Sequence, residues 1–133
     1  MPTAHSVRVA ALTIGASTKW VDNVLSHFDV AGVTQGVRGV ERQLNDDALI
    51  ALALCRLLSQ KLGVPLEKAV AISNQVVHTR AVSDGTHIVA PGVTLRFELA
   101  EIERGIRDRV GDAIESVAHV RRGRPSLRSR NPE

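Results

Sequence analysis

Residues 15–28 read GASTKWVDNVLSHF, and residues 29–47 read DVAGVTQGVRGVERQLNDD. Gly15 breaks the chain. Ser17 or Thr18 is then placed to cap a helix by accepting a bond from a free backbone N–H. Trp20, Val21, Val24, Leu25 and Phe28 fall on one stripe, and Lys19, Asp22, Asn23, Ser26 and His27 lie on the opposite face. That spacing predicts an amphipathic helix of about three turns. Gly32, Gly36 and Gly39 then interleave with Val30, Val33, Val37 and Val40, which suits a short hairpin with tight turns. Asn45 offers the next helix cap, with Asp46 and Asp47 in a first turn where the helix dipole favours them.

On the N-terminal side, residues 1–6 read as a loose start. Residues 7–14 fit either period: Val7, Val9 and Ala11 alternate, while Val7, Ala10, Ala11 and Ile14 share a helix face. A short helix is expected. On the C-terminal side, residues 48–62 are apolar almost all round, the pattern of a buried central helix closed by Gly63. Pro65 lies where a missing N–H costs nothing, at a helix start, and Leu66, Ala69, Val70, Ser73 and Val77 give that helix a face. Past Gly85, residues 87–90 and 93–97 read as two short strands around Pro91-Gly92. A last helix is expected over residues 98–118, with Leu99, Ile102, Ile106, Val110, Ile114 and Val117 on one stripe. Such a stripe either closes the domain's core or pairs with a second copy, and dimerisation through residues 93–117 is the expectation.

The chain has 133 residues, of which 44% are apolar, enough for one domain with a real core. Trp20, Phe28 and Phe97 are its only aromatics, so that core is aliphatic. So few aromatic faces argue against a carbohydrate site or a base-stacking single-strand binder. Cys55 is the single cysteine, which excludes an intramolecular disulfide and fits a small core residue. Met1 leads into no charged segment followed by a long apolar one, so no signal peptide is expected. The longest apolar run, residues 48–54, is too short to span a bilayer. A cytoplasmic, nucleoid-associated protein is expected, with no membrane partner.

Charge is distributed unevenly. Residues 119–133 hold Arg121, Arg122, Arg124, Arg128 and Arg130 against Glu133 alone, a net +4, while the other 118 residues carry 12 basic and 13 acidic side chains. A near-neutral body with a basic arm points to a polyanionic partner. Without apolar periodicity, the arm is expected to be disordered on its own.

The order helix, glycine turn, helix, glycine-rich hairpin, long helix, short helix resembles the MerR-type winged-helix domain over residues 12–77. Gly15-Ala16-Ser17-Thr18 leads into the recognition helix. Gly36-Val37-Arg38-Gly39-Val40-Glu41-Arg42-Gln43-Leu44 resembles the wing. Asn45-Asp46-Asp47-Ala48-Leu49 resembles the acidic cap that follows, and Leu62-Gly63-Val64-Pro65-Leu66-Glu67-Lys68 the final turn. The sequence departs from the family in four ways. The first helix is shortened or displaced, and Val24-Leu25 stands near the usual aromatic pair. Pro65 replaces a serine cap, and no long coiled coil or cysteine-based metal sensor follows.

The resemblance implies that the polar face of residues 17–27 enters the major groove of double-stranded DNA. Ser17, Thr18 and Ser26 would then bond phosphate or base edges, Asn23 would pair with adenine, and Lys19 would reach guanine or phosphate. Arg38 and Arg42 of the wing would grip flanking phosphates. In the arm, Arg122-Gly123-Arg124-Pro125 resembles the core of an AT-hook, flanked by Arg121, Arg128 and Arg130. Glycine lets such a backbone lie deep, proline holds it extended, and a narrow A·T-rich minor groove attracts arginine.

No catalytic constellation is legible. Gly36-Val37-Arg38-Gly39 lacks the Lys-Ser/Thr of a phosphate loop, Ser17 has no evident His/Asp partners, and His5, His27, His78, His87 and His119 show no metal-ligand spacing. Neither a metal nor a cofactor is expected. The expected fold is mainly α with small β elements: a winged helix-turn-helix over 1–77, a β-hairpin and helix for dimerisation or partner binding over 78–118, and a basic tail over 119–133. The expected function is sequence-specific transcriptional regulation by a homodimer. The alternatives are a DNA-binding antitoxin whose C-terminal part holds a cognate toxin, and an architectural DNA protein.

Overall fold

The computed structural model describes residues 4–34 and 41–130, the stretch 120–130 by its backbone alone. The chain is mainly helical with two small antiparallel strand pairs. Helix α1 (Val7–Ile14) starts at Ser6, whose Oγ accepts from Val9 N at 3.2 Å. It stops at Gly15, in the left-handed region at φ 74°, whose N–H returns to the last turn of α1. That orientation is open to glycine and strained for other residues. Helix α2 (Thr18–His27) follows after three residues, with Ser17 Oγ accepting from Trp20 N at 3.0 Å. Val21, Val24 and Leu25 are its buried stripe.

The described residues hold the two ends of the expected hairpin, whose residues 35–40 lie outside them. Strands β1 (Val33–Thr34) and β2 (Gln43–Leu44) pair Val33 with Leu44 and Thr34 with Gln43. Residues 4–6 are held more firmly than the loose start expected. His5 exchanges both backbone bonds with Leu44, at 2.7 and 2.9 Å, and its buried Nε2 lies 3.1 Å from Asp46 Oδ1. A histidine buried against the cap of the following helix fixes residues 4–6 where composition alone indicated a free end.

Helix α3 (Asp46–Lys61) is the core element, with Ala48, Leu49, Ile50, Ala51, Leu52, Leu54, Cys55 and Leu58 buried. Asn45 Oδ1 caps it by accepting from Ala48 N at 3.1 Å. Helix α4 (Leu66–Thr79) packs along α3 after Pro65. Its C-terminal Arg80 reaches back to Asp47 at 2.6 Å. Thr13 and Ser73 are buried hydroxyls, each satisfied by the carbonyl four residues earlier (Val9 O at 2.8 Å, Ala69 O at 2.7 Å).

Strands β3 (Thr86–Ala90) and β4 (Val93–Arg96) form a second hairpin against α4. Helix α5 (Leu99–Arg130) then returns across α1. Phe97 and Ile106 join the buried cluster formed by α1–α4, and Leu99, Ile102 and Val110 pack on it. Arg109 Nε donates to Thr13 O at 2.8 Å. Phe97 and the leading part of the stripe expected to dimerise therefore pack on the core of α1–α4.

The backbone of α5 stays helical to Arg130, where a disordered arm was expected from residue 119. Between Gly111 and Gly123 neither glycine nor proline interrupts the run that leaves the core, so the helix extends into the basic segment.

Candidate nucleic-acid interface

The short turn of Gly15, Ala16 and Ser17 sets α2 against α1. With Val21, Val24 and Leu25 turned into the core, the opposite side of α2 is open. Ser17, Thr18, Lys19, Asn23 and Ser26 are all exposed, as is Asp22. Lys19, Asp22, Asn23 and Ser26 are spaced three, four and seven residues from the first, so they form one continuous face. The Ser17 hydroxyl is committed as an acceptor to Trp20 N and keeps its proton to donate.

One side chain from the edge of the first hairpin reaches this face. Arg42, just before β2, points its guanidinium at α2, with Nη1 3.7 Å from Asp22 Oδ1 and Nη2 3.5 Å from Ser26 Oγ. Arg42 thus offsets the one carboxylate on the face. Arg38 lies outside the described residues, as do the side chains of Arg121, Arg122, Arg124, Pro125, Arg128 and Arg130, while the backbone at Gly123 is helical rather than the extended form an AT-hook core needs.

Three positioning residues act through partners that no local sequence signal names. Asn74 of α4 clamps the segment before β1: its Oδ1 accepts from Ala31 N at 2.9 Å and its Nδ2 donates to Asp29 O at 2.7 Å. Gly32, at φ 81°, touches the Asn45 cap so closely that a Cβ there would collide with the Asn45 amide oxygen and sit 2.6 Å from Ala48 N. Arg56 of α3 lies over the Trp20 ring at 5.2 Å from its centroid, which ties α2 to the central helix. Polar or glycine residues of these kinds occur on any helix or loop, and their partners are distant in sequence.

No protein-family model, curated protein or solved structure matches this chain. What the site can do rests on its own chemistry. The face of α2 combines a cation, an amide and hydroxyls, the groups that bond phosphates and base edges. Among the described residues, no group of three or more His, Cys, Asp or Glu is placed to hold a metal ion. Among them, too, no helix is long and apolar enough to cross a membrane.

The dimerisation stripe is divided. Ile106 is buried, and Leu99, Ile102 and Val110 pack within the monomer, whereas Ile114 is 44% exposed and Val117 half-buried. A second apolar surface lies on the β3–β4 hairpin, where Ile88 is 70% exposed, with Val89 and Val93 near half. An isolated two-stranded hairpin is marginal in water, and clustered exposed aliphatics mark contact surfaces.

Proposed function

We propose that this chain is a sequence-specific, double-stranded DNA-binding transcriptional regulator of the winged helix-turn-helix type, acting on the nucleoid in the cytoplasm. The observation that carries the reading is the open polar face of α2, with the Arg42 edge of the first hairpin drawn alongside it. A helix of this length is about 15 Å long, which suits a major groove. Asn23 and Lys19 are the base readers, Thr18, Ser17 and Ser26 bond phosphates at the groove edge, and the hairpin with Arg38 and Arg42 grips the flanking backbone. Asn74 and Gly32 act through the hairpin, by fixing where it leaves the core.

The basic segment adds the second grip. An AT-hook-like core needs an extended backbone, and Pro125 removes an N–H from the helix while Gly123 weakens it. The end of α5 therefore unwinds on contact with an A·T-rich minor groove, exchanging a weak helix terminus for arginine contacts. Two copies join through the exposed β3–β4 hairpin and the Ile114–Val117 part of α5, presenting two α2 helices to successive grooves.

The same exposed hairpin favours one other reading, an antitoxin that holds a toxin protein there. Selection of bound duplexes from a random pool tests the main proposal. Enrichment of an inverted repeat is expected, and recovery of unenriched DNA refutes it. Purification as a stable homodimer is the expected state; stoichiometric co-purification with the product of an adjacent gene favours the antitoxin.

A further inference from the structure

A cleft of about 530 Å³ opens between α3 and α5 at the C-terminal end of α1, a size that suits a small organic ligand. Its floor is apolar, made by Ile14, Leu57 and Ile102. Its rim carries Arg56, Lys61 and Arg109, none of which forms an ion pair among the described residues. The carboxylate on the rim, Glu101, is engaged by Arg104 at 3.1 Å. The cleft therefore pairs an apolar floor with uncompensated positive charge.

Two features show that the cationic rim is held in place. Arg109 is anchored by its Nε to Thr13 O at 2.8 Å, which leaves the outer guanidinium nitrogens to face a ligand. Gly105 lines the cleft one turn earlier on α5, and a Cβ there would lie 3.1 Å from Arg109 Nη1. A side chain at Gly105 would push the Arg109 guanidinium aside by a few tenths of an ångström, whereas at Gly111 of the same helix nothing lies within 4 Å.

We propose that this cleft binds a small organic acid, a carboxylate on an apolar body, and that Arg56 relays its occupancy to α2. The carboxylate bonds Arg56 and Arg109, and the apolar body covers Leu57 and Ile102. Arg56 also lies over Trp20, so a ligand that draws its guanidinium into the cleft weakens the contact that steadies the first turn of α2.

Trp20 is the only tryptophan, so its emission reports the event. The probe is 4-phenylbutyrate, with the uncharged 4-phenylbutanol as its control, added to the full chain without DNA. A saturable change in Trp20 emission with the acid is expected, at least about tenfold weaker with the alcohol, because the alcohol cannot form the charge-assisted bond. Arg56→Gln and Gly105→Ala should each weaken binding of the acid about tenfold by calorimetry, which does not depend on the altered surroundings of Trp20. Gly105→Ala favours the helix, so its loss of binding is not a loss of fold. Equal response to acid and alcohol, no saturation at millimolar acid, or full binding by both variants overturns the proposal. Because no DNA is present, such a failure leaves the reading of α2 intact.

Discussion

Replacing Gly32 with alanine tests how the first hairpin is joined to the core, and Gly63 supplies its control. Both glycines occupy the left-handed region, at φ 81° and φ 69°. An alanine in either place suffers a backbone penalty of about 1–2 kcal/mol. At Gly63 nothing else lies within 4 Å of the added Cβ. At Gly32 the Cβ would overlap the Asn45 side chain and crowd Ala48 N at 2.6 Å, breaking the bond that caps α3. Loss of an asparagine cap costs about 1 kcal/mol, with Ala48 N keeping its bond to Asn45 O at 3.1 Å, and the backbone crowding at 2.6 Å adds to it. Gly32→Ala should therefore lose about 1–3 kcal/mol more than Gly63→Ala. Urea unfolding followed by helical circular dichroism measures both, with the slope against urea unchanged if only stability moves. Melting temperatures should differ in the same order, by about 4 °C per kcal/mol for a chain of this size. Equal losses in the two variants would refute the close approach of Gly32 to the Asn45 cap.

Asn74→Ala removes both bonds to residues 29–31 and should cost about 1–3 kcal/mol in urea unfolding; a loss under about 0.5 kcal/mol would remove Asn74 from the support of the hairpin. Burial raises the Cys55 thiol from 9.0 to about 11. The unfolded chain releases that proton first, so stability is intact below about pH 9 and falls as pH rises toward 11, by about 2–3 kcal/mol from this group. Cys55→Ala should flatten the alkaline limb of the stability profile, and an unchanged limb would contradict the buried thiol. Deleting residues 119–133 should weaken DNA binding and flatten its salt dependence by about 0.9 in log–log slope for each phosphate the arm had neutralised, as binding across a salt series would show; an unchanged slope would exclude the arm from the interface.

Local signals made the N-terminal half readable. Gly15 and Ser17 specify a stop and a start within three residues, and the structure uses both, as a left-handed terminus and a capping hydroxyl. Asn45 is likewise the cap its position suggests. The polar face of α2 follows from period alone, since Val21, Val24 and Leu25 leave the core only one side to take. Contacts across the chain were hidden. Asn74 reaches residues 43 and 45 positions away, and Arg109 meets Thr13 across 96. An amphipathic stripe records that a face is apolar, not what covers it, so Leu99 to Val110, expected at a dimer contact, pack on the monomer's own core. Composition misled in the arm. Arginine and serine in the absence of apolar periodicity indicate disorder, yet α5 carries its backbone onward to Arg130.

The most direct test of DNA reading by α2 is the ratio of affinities for selected and random duplex at one salt concentration. Lys19→Ala and Asn23→Ala both lie on the exposed face, so the fold should survive them. Each bond to a base edge is worth about 1–3 kcal/mol of discrimination. The predicted result is a ratio that falls about tenfold or more in each variant while binding to random DNA changes far less in Asn23→Ala. Unchanged discrimination in both, with binding retained, would show that α2 is not the element that reads the sequence.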